Sequence, residues 1–188
     1  NLIRRKNKMK ILAVIPARAG SKGIPNKNIR ILNNKPLISY SIENAKNSKY
    51  ITDIIVTTDS DIVRVIAAQM GVDSTERKPE LCGDDITLDS VIYDAIPKKT
   101  KWDYIITMQP TSPTLQVETL DKAIEYTIKN KLDTVISAIN RPHLSWKDDN
   151  GKKIPNYTER LNRQYLPANY METGAFVISK FNSCIVLI

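Results

Sequence analysis

Four short, continuous apolar runs alternate with amphipathic segments along most of the chain, and this alternation restricts the possible folds more than any other feature. The runs lie at residues 11–15, 54–58, 104–108 and 134–138. Runs this short, without polar alternation, are typical of strands buried on both faces, as in a parallel sheet. Four segments repeat apolar residues at helical spacing: 36–47, 62–70, 88–96 and 117–129. Strands that alternate with helices predict βαβ units and an α/β fold with a mostly parallel, doubly wound, Rossmann-like sheet.

Two stretches depart from this alternation. From about residue 141 the pattern becomes β-rich, and Asn150-Gly151 is typical of a tight hairpin turn. We therefore expect a small β-rich inserted lobe at about 141–172, after which 174–179 returns as a final strand. Residues 75–86 have no clear period and are predicted to form a loop.

The loop after the first predicted strand is the strongest candidate for a binding site. Residues 16–28 contain two glycines and three cations, Arg18, Lys22 and Lys27. Open α/β sheets bind ligands at the carboxyl ends of their strands, and cations with backbone N–H groups suit a polyanion such as a triphosphate. The patterns G-x-G-x-x-G and G-x-x-x-x-G-K-[ST] are both absent. On composition alone, a solvated connecting loop remains an alternative.

Residues 17–28, ARAGSKGIPNKN, resemble the motif A-R-x-x-S-K-G-[IL]-x-x-K-N of the acylneuraminate cytidylyltransferases, the CMP-sialic acid synthetases. QPTSP at 109–113 and NRQYLP at 162–167 resemble later segments of that family, and the similarity extends over about 10–179. The resemblance implies a sheet of the nucleotide-diphospho-sugar transferase type. It also implies an enzyme that transfers CMP from CTP to the anomeric hydroxyl of a nine-carbon 2-keto sugar acid and releases pyrophosphate.

The same resemblance implies the site residues. The catalytic cations would be Arg18, Lys22 and Lys27. The nucleotide would be bound by Ala17, Arg18, Ser21, Lys22, Asn28, Arg77 and Thr87, and the sugar acid by Gln109, Arg163, Tyr170 and Glu172. Some relatives have a hydroxyl residue where Leu88 stands here, so we expect the backbone near Thr87 to read the base. Glu172 could instead pair with Arg163 and touch no ligand.

A Mg²⁺ cofactor is expected with CTP, since a metal ion can bridge phosphate oxygens. Relatives carry an Asp-x-Asp metal pair beyond the last strand, and residues 181–188 contain no such pair. The metal ligands therefore stay unknown. We expect the chain to be truncated at its C-terminus and to show weak or absent Mg²⁺-dependent catalysis as it stands. Asp84, Asp85 and Asp89 are predicted to be solvated turn residues, and 59–61 a turn and helix cap.

The net charge of +8 suggests a nucleic-acid partner, but its distribution argues against one. Residues 1–10 contain five cations and no acid, which leaves 23 basic against 20 acidic residues elsewhere. Few aromatic residues accompany the cations, so a base-stacking surface is not expected. We predict that 1–9 is a disordered leader or tag and that 10–188 is a single cytidylyltransferase domain.

Cysteine content, hydropathy and the family resemblance each add one further expectation. Cys82 and Cys184 are too few for a disulfide framework and indicate a reducing, cytoplasmic environment. The sequence contains no window of 18 apolar residues, so no membrane span is predicted. The resemblance implies a homodimer.

Two other functions stay open from the sequence. The first is another CTP-dependent sugar-acid nucleotidyltransferase, such as one for 3-deoxy-manno-octulosonate; within the nine-carbon class, legionaminic, pseudaminic and deaminated sialic acids are all possible. The second is a non-catalytic module that binds nucleotides or nucleic acid.

Overall fold

The computed structural model of the protein describes residues 9–21 and 23–184, with side chains for all of these except 183 and 184. The described residues form two compact units. One consists of the chain up to Ile136 together with the chain from Gly174 onward, and the other is Ser137–Thr173. In chain order the elements are β1 (Ile11–Pro16), β2 (Ile31–Leu32), β3 (Lys35–Pro36), α1 (Leu37–Asn47), β4 (Asp53–Thr58), α2 (Asp61–Gln69), β5 (Asp73–Glu76), α3 (Leu88–Ala95), β6 (Tyr104–Met108), α4 (Val117–Lys129), β7 (Thr134–Asn140), β8 (Trp146–Asp149), β9 (Lys152–Pro155), β10 (Tyr170–Lys180) and α5 (Phe181–Cys184).

The main sheet has the strand order β5-β4-β1-β6-β10-β7. Strand β1 pairs in parallel with both β4 and β6, so that Val14 lies between Ile55 and Thr107. Strand β5 pairs in parallel with β4, whereas β10 runs antiparallel to β6. The predicted mostly parallel α/β sheet is therefore confirmed.

Strand β1 is buried on both faces because helices cover both sides of the sheet. On one face Ile15 belongs to a cluster with Ile38 of α1 and Leu120 of α4. On the other face Val14 belongs to a cluster with Ile92 of α3 and with Trp102. Two apolar layers thus explain why this strand shows no polar alternation in the sequence.

The four predicted helices agree with α1 to α4 to within two residues at each end, and α4 has the predicted bounds. The prediction of a loop over 75–86 is partly wrong, because Asp73–Glu76 forms the edge strand β5. This strand consists of polar residues, and its backbone pairing with β4 gives no apolar signal that sequence reasoning could detect. The last strand is also longer than predicted and begins at Tyr170.

In the second unit, β8 and β9 form the predicted hairpin. Asn150 and Gly151 have φ values of 52° and 85°, and two central residues with positive φ are what a tight hairpin turn requires.

No helix in the described part of the chain combines the length and the apolar character needed to cross a membrane.

The two ends of the β1–β4 pairing are closed by threonine hydroxyls, and this arrangement gives a first prediction. Thr58 is fully buried; its hydroxyl donates to the Ala17 carbonyl at 2.6 Å and accepts from the Ser60 N–H at 3.0 Å. Thr58→Val leaves both groups without this partner, so we expect the free energy of unfolding in urea to fall by about 1–3 kcal/mol.

Thr52→Val is the matched control at the opposite end of β1. The Thr52 hydroxyl accepts from the Ile11 N–H and donates to the Ile11 carbonyl, both at 3.0 Å, but this side chain is only half-buried. Water can replace those bonds, so the expected loss is smaller, about 1 kcal/mol or less. Equal stability of Thr58→Val and the unmodified protein would contradict the proposal that the Thr58 hydroxyl stabilises this end of the β1–β4 pairing.

Candidate functional site

A cleft of about 240 Å³ lies where β1 and β6 end and where the chain leaves β5. Among the residues that line it are six of the predicted site residues: Arg18, Ser21, Lys27, Asn28, Arg77 and Gln109. They come from three segments that are distant in sequence. The parallel arrangement brings them together because the carboxyl ends of parallel strands share one edge of the sheet.

The loop after β1 is tied to the end of β4. The Ala17 N–H donates to the Thr57 carbonyl at 2.9 Å, and the Ala19 N–H donates to the Asp59 carboxylate at 2.7 Å. The amide of buried Asn28 donates to the Arg18 carbonyl at 3.0 Å, which closes the loop on itself. Ala17 is itself fully buried in the core, so the structure places it beneath the cleft rather than on its lining.

Arg18 reaches across the cleft to the segment that follows β5. Its guanidinium forms an ion pair with the Asp84 carboxylate at 2.8 Å and donates to the Cys82 carbonyl at 3.3 Å. Asp84 is an exposed turn residue, as predicted, but its ion pair with Arg18 was not foreseen. The sequence gives no sign that the segment around 82–84 lies beside the loop after β1.

Arg77 is a buried cation on the lining of the cleft, with 6% of its surface exposed. Its Nη2 donates to the Thr57 carbonyl at 3.1 Å, while its Nε is the only buried side-chain nitrogen or oxygen without a partner in the part of the chain that the structure describes. Burial lowers the pKa of Arg77, and nearby Asp59 and Cys82 oppose this change whereas Arg18 adds to it. An unpaired buried donor is costly, so this nitrogen suits a ligand acceptor.

Thr87 and Gln109 have different surroundings from each other. The Thr87 hydroxyl caps α3 by accepting from the Ser90 N–H at 3.3 Å, and Leu88 rather than Thr87 lines the cleft. Gln109 lies at the end of β6, where its carbonyl accepts from the Ser41 hydroxyl at 3.3 Å.

Gly174 is a contributor that sequence reasoning missed. Its φ is +69°, and a Cβ there would lie 3.4 Å from Nε2 of Gln109. A Cβ at that distance would be in ordinary contact with Gln109, so the glycine matters for its backbone conformation, which other residues rarely adopt.

Four other predicted site residues are not described as part of this cleft. Lys22 is outside the described residues. Arg163, Tyr170 and Glu172 belong to the second unit, where all three are exposed. Within the described residues, Arg163 and Glu172 do not form an ion pair with each other.

Metal binding is not fixed by these side chains. Within 9–21 and 23–184, no group of three or more His, Cys, Asp or Glu side chains is arranged to hold a metal ion. Magnesium ions that arrive with nucleotides take most of their ligands from phosphate oxygens and water.

Comparison with known proteins gives consistent matches. Residues 12–181 match the family described as Cytidylyltransferase. N-acylneuraminate cytidylyltransferase A of Danio rerio is 32% identical over 184 residues, which cover 94% of this chain and 43% of that protein. CMP-N,N'-diacetyllegionaminic acid synthase of Legionella pneumophila is 40% identical over 126 residues, which cover 62% of this chain and 53% of that protein. The chain thus spans about half the length of these relatives.

A solved structure with the same fold is that of a CMP:2-keto-3-deoxy-manno-octonic acid synthetase complexed with CTP. The TM-score is 0.72 at 17% sequence identity, and the match covers 95% of this chain and 77% of that one. At this identity the likeness concerns the fold alone. It confirms the predicted sheet of the nucleotide-diphospho-sugar transferase type.

The environment of Arg77 gives a prediction about stability. Replacing Arg77 with methionine removes a buried charge, while the Thr57 carbonyl keeps the Ala17 N–H as a donor. The substitution also removes the buried Nε–H that lacks a partner among the described residues, so a desolvation cost disappears together with one hydrogen bond. We therefore expect the free energy of unfolding to stay within about 0.5 kcal/mol or to rise.

Arg64→Met is the control, because Arg64 forms exposed ion pairs with Asp61 and Glu76 on α2 and β5. Such pairs contribute about 0–1 kcal/mol, so its stability should fall slightly or not at all. A loss of about 3 kcal/mol in Arg77→Met, the size expected for a broken buried pair, would mean that Arg77 holds the fold together.

Proposed function

This chain belongs to the cytidylyltransferase family, and we propose that it transfers CMP from CTP to the anomeric hydroxyl of a nine-carbon 2-keto sugar acid, a sialic acid or a relative. Pyrophosphate is the second product. The observation that carries this proposal is that three cations, Arg18, Lys27 and Arg77, line one cleft at the carboxyl ends of parallel strands. The names of the relatives support the sugar-acid substrate.

The cations stabilise the charge of the reaction. The anomeric oxygen forms a bond to the α-phosphorus of CTP, the bond from that phosphorus to the bridging oxygen breaks, and the hydroxyl proton is released. Negative charge grows on the phosphate oxygens and on the leaving pyrophosphate, where Arg18 and Lys27 neutralise it. Lys22 is proposed to do the same. Such a transfer requires positioning and electrostatic stabilisation more than covalent chemistry from the protein.

The nucleotide base is proposed to lie at the Arg77 end of the cleft. The apolar side chains of Leu81, Ile86 and Leu88 line the same cleft as Arg77 and offer a surface for a planar ring. The Arg77 Nε–H, which lacks a partner among the described residues, would donate to the base. Ser21 and Asn28 line the same cleft and are proposed to lie beside the phosphates.

Gln109, Arg163, Tyr170 and Glu172 are proposed to take part in binding the sugar acid, because the segments that carry them resemble those of the family. A guanidinium suits a carboxylate because it can donate two parallel hydrogen bonds. Mg²⁺ is proposed to arrive with CTP and would neutralise phosphate charge. A homodimer and a cytoplasmic location stay predictions.

Thermal unfolding with CTP, ATP and single-stranded DNA tests the nucleotide proposal. A ligand present at 100 times its dissociation constant adds about 2.7 kcal/mol of stability, so a clear rise in melting temperature is expected with CTP and not with the other two. Lys27→Ala should weaken CTP binding about tenfold or more, because it removes a charged hydrogen bond. Lys122→Ala, an exposed residue on α4, is the matched control and should bind CTP as the unmodified chain does.

A single-turnover assay tests the reaction. Protein in excess of CTP is mixed with Mg²⁺ and, in separate reactions, with nine-carbon and eight-carbon 2-keto sugar acids. We expect slow pyrophosphate release that depends on a nine-carbon acid and falls with Lys27→Ala. Equal stabilisation by CTP and ATP, or release only with the eight-carbon acid, would contradict the proposed substrate pair.

A further inference from the structure

The Arg18–Asp84 ion pair lies inside the cleft that the proposed function assigns to a triphosphate. Both residues line the cleft, and their charged groups are 2.8 Å apart. The two side chains are 32% and 38% exposed, so solvent reaches the pair. A carboxylate accepts from a guanidinium in much the same geometry as a phosphate group does.

The cleft concentrates positive charge that needs a counterion. Arg18 is close enough to Arg77 to contribute to the lowering of the Arg77 pKa. Two carboxylates offset this charge: Asp59, beside Arg77, and Asp84, on Arg18. The roles of these two acids differ, because Asp59 also holds the loop after β1 through the Ala19 N–H at 2.7 Å.

We propose that Asp84 sets nucleotide affinity by competing with the triphosphate for the guanidinium of Arg18. This inference rests on the proposed function, since it concerns the same cleft. On binding, the phosphate takes over the Arg18 donors and the Asp84 carboxylate turns away from the polyanion. Asp84 is thus an affinity-setting residue that needs no contact with the nucleotide.

Displacement is favoured over joint binding for two reasons. A carboxylate held beside a triphosphate places like charges a few ångströms apart, which is unfavourable even in a solvated cleft. Residues 83–87, which carry Asp84, are also exposed and belong to no helix or strand, and segments of this kind rearrange most readily. The Cys82 carbonyl accepts from Nη1 of Arg18 at 3.3 Å, whereas Asp84 pairs with Nη2, so the bond to Cys82 can be kept.

The expected size of the effect follows from the exposure of the pair. Apparent affinity is reduced in proportion to the fraction of molecules in which the binding group is available. An ion pair with this exposure is formed in most molecules but not in all of them. Asp84→Asn should therefore tighten triphosphate binding by about three- to fivefold.

The test is a calorimetric titration with inorganic tripolyphosphate, and separately with CTP, in buffer with EDTA so that no metal bridges the anions. The variants are Asp84→Asn, Arg18→Ala and the double variant. Asp85→Asn is the matched control, because it removes the same charge from the neighbouring exposed residue. Comparing the two backgrounds isolates the part of the effect that acts through Arg18.

We expect Asp84→Asn to bind tripolyphosphate about three- to fivefold more tightly, Asp85→Asn less than twofold more tightly, and the gain to disappear in the Arg18→Ala background. The competition is overturned if Asp84→Asn binds no better than Asp85→Asn, binds more weakly, or keeps its gain without Arg18. A gain with tripolyphosphate but no preference for CTP over ATP would support the competition and overturn the proposed function. Absence of binding to both tripolyphosphate and CTP by the unmodified chain would overturn both.

Discussion

The parallel pairing of β1 with β4 is the interaction on which the cleft depends. It brings Thr57, Thr58 and Asp59 under the loop that follows β1, where they bind the backbone of Ala17 and Ala19. A loop with three cations would otherwise be expected to move freely in solvent. Because its first residues are fixed to a central strand, Arg18 and Lys27 lie at defined places along the cleft.

Charge balance is the second constraint. Burial of a guanidinium is costly unless other groups compensate it, and Arg77 is compensated only in part, through Thr57 and the nearby Asp59. The Arg77 Nε–H lacks a partner among the described residues, so the cleft favours a ligand that brings an anionic group or a hydrogen-bond acceptor. Arg18 differs, because Asp84 satisfies it and any nucleotide must compete for it. Arg77 thus offers the ligand an unpaired donor, whereas Arg18 offers a guanidinium that already has a carboxylate partner.

Sequence reasoning predicted those parts of the structure whose signals are local. The apolar run of β1, the helical spacing of α4 and the Asn150-Gly151 turn each depend on neighbouring residues, and all three are found in the structure. The motif after β1 is local in the same way, and the prediction that this loop binds the nucleotide stays a prediction.

What sequence reasoning missed are contacts that no local pattern reports. Strand β5 is polar and exists through its pairing with β4, and Asp84 meets Arg18 only after the chain has folded. Thr87 illustrates a third case: its hydroxyl caps α3, and the expectation that the backbone near it reads the base stays a prediction. Long-range pairing and competing local hydrogen bonds therefore account for what the sequence could not predict.

The central claim is that a pyrimidine nucleotide binds at the guanidinium groups of Arg18 and Arg77. Nuclear magnetic resonance of the arginine Nε–H groups during titration with CTP tests it most directly. We predict that the Arg18 and Arg77 signals shift with a common dissociation constant, while that of Arg64 on α2 stays constant. Saturating CTP that leaves the Arg77 signal unchanged, or that shifts all three signals equally, would contradict the claim.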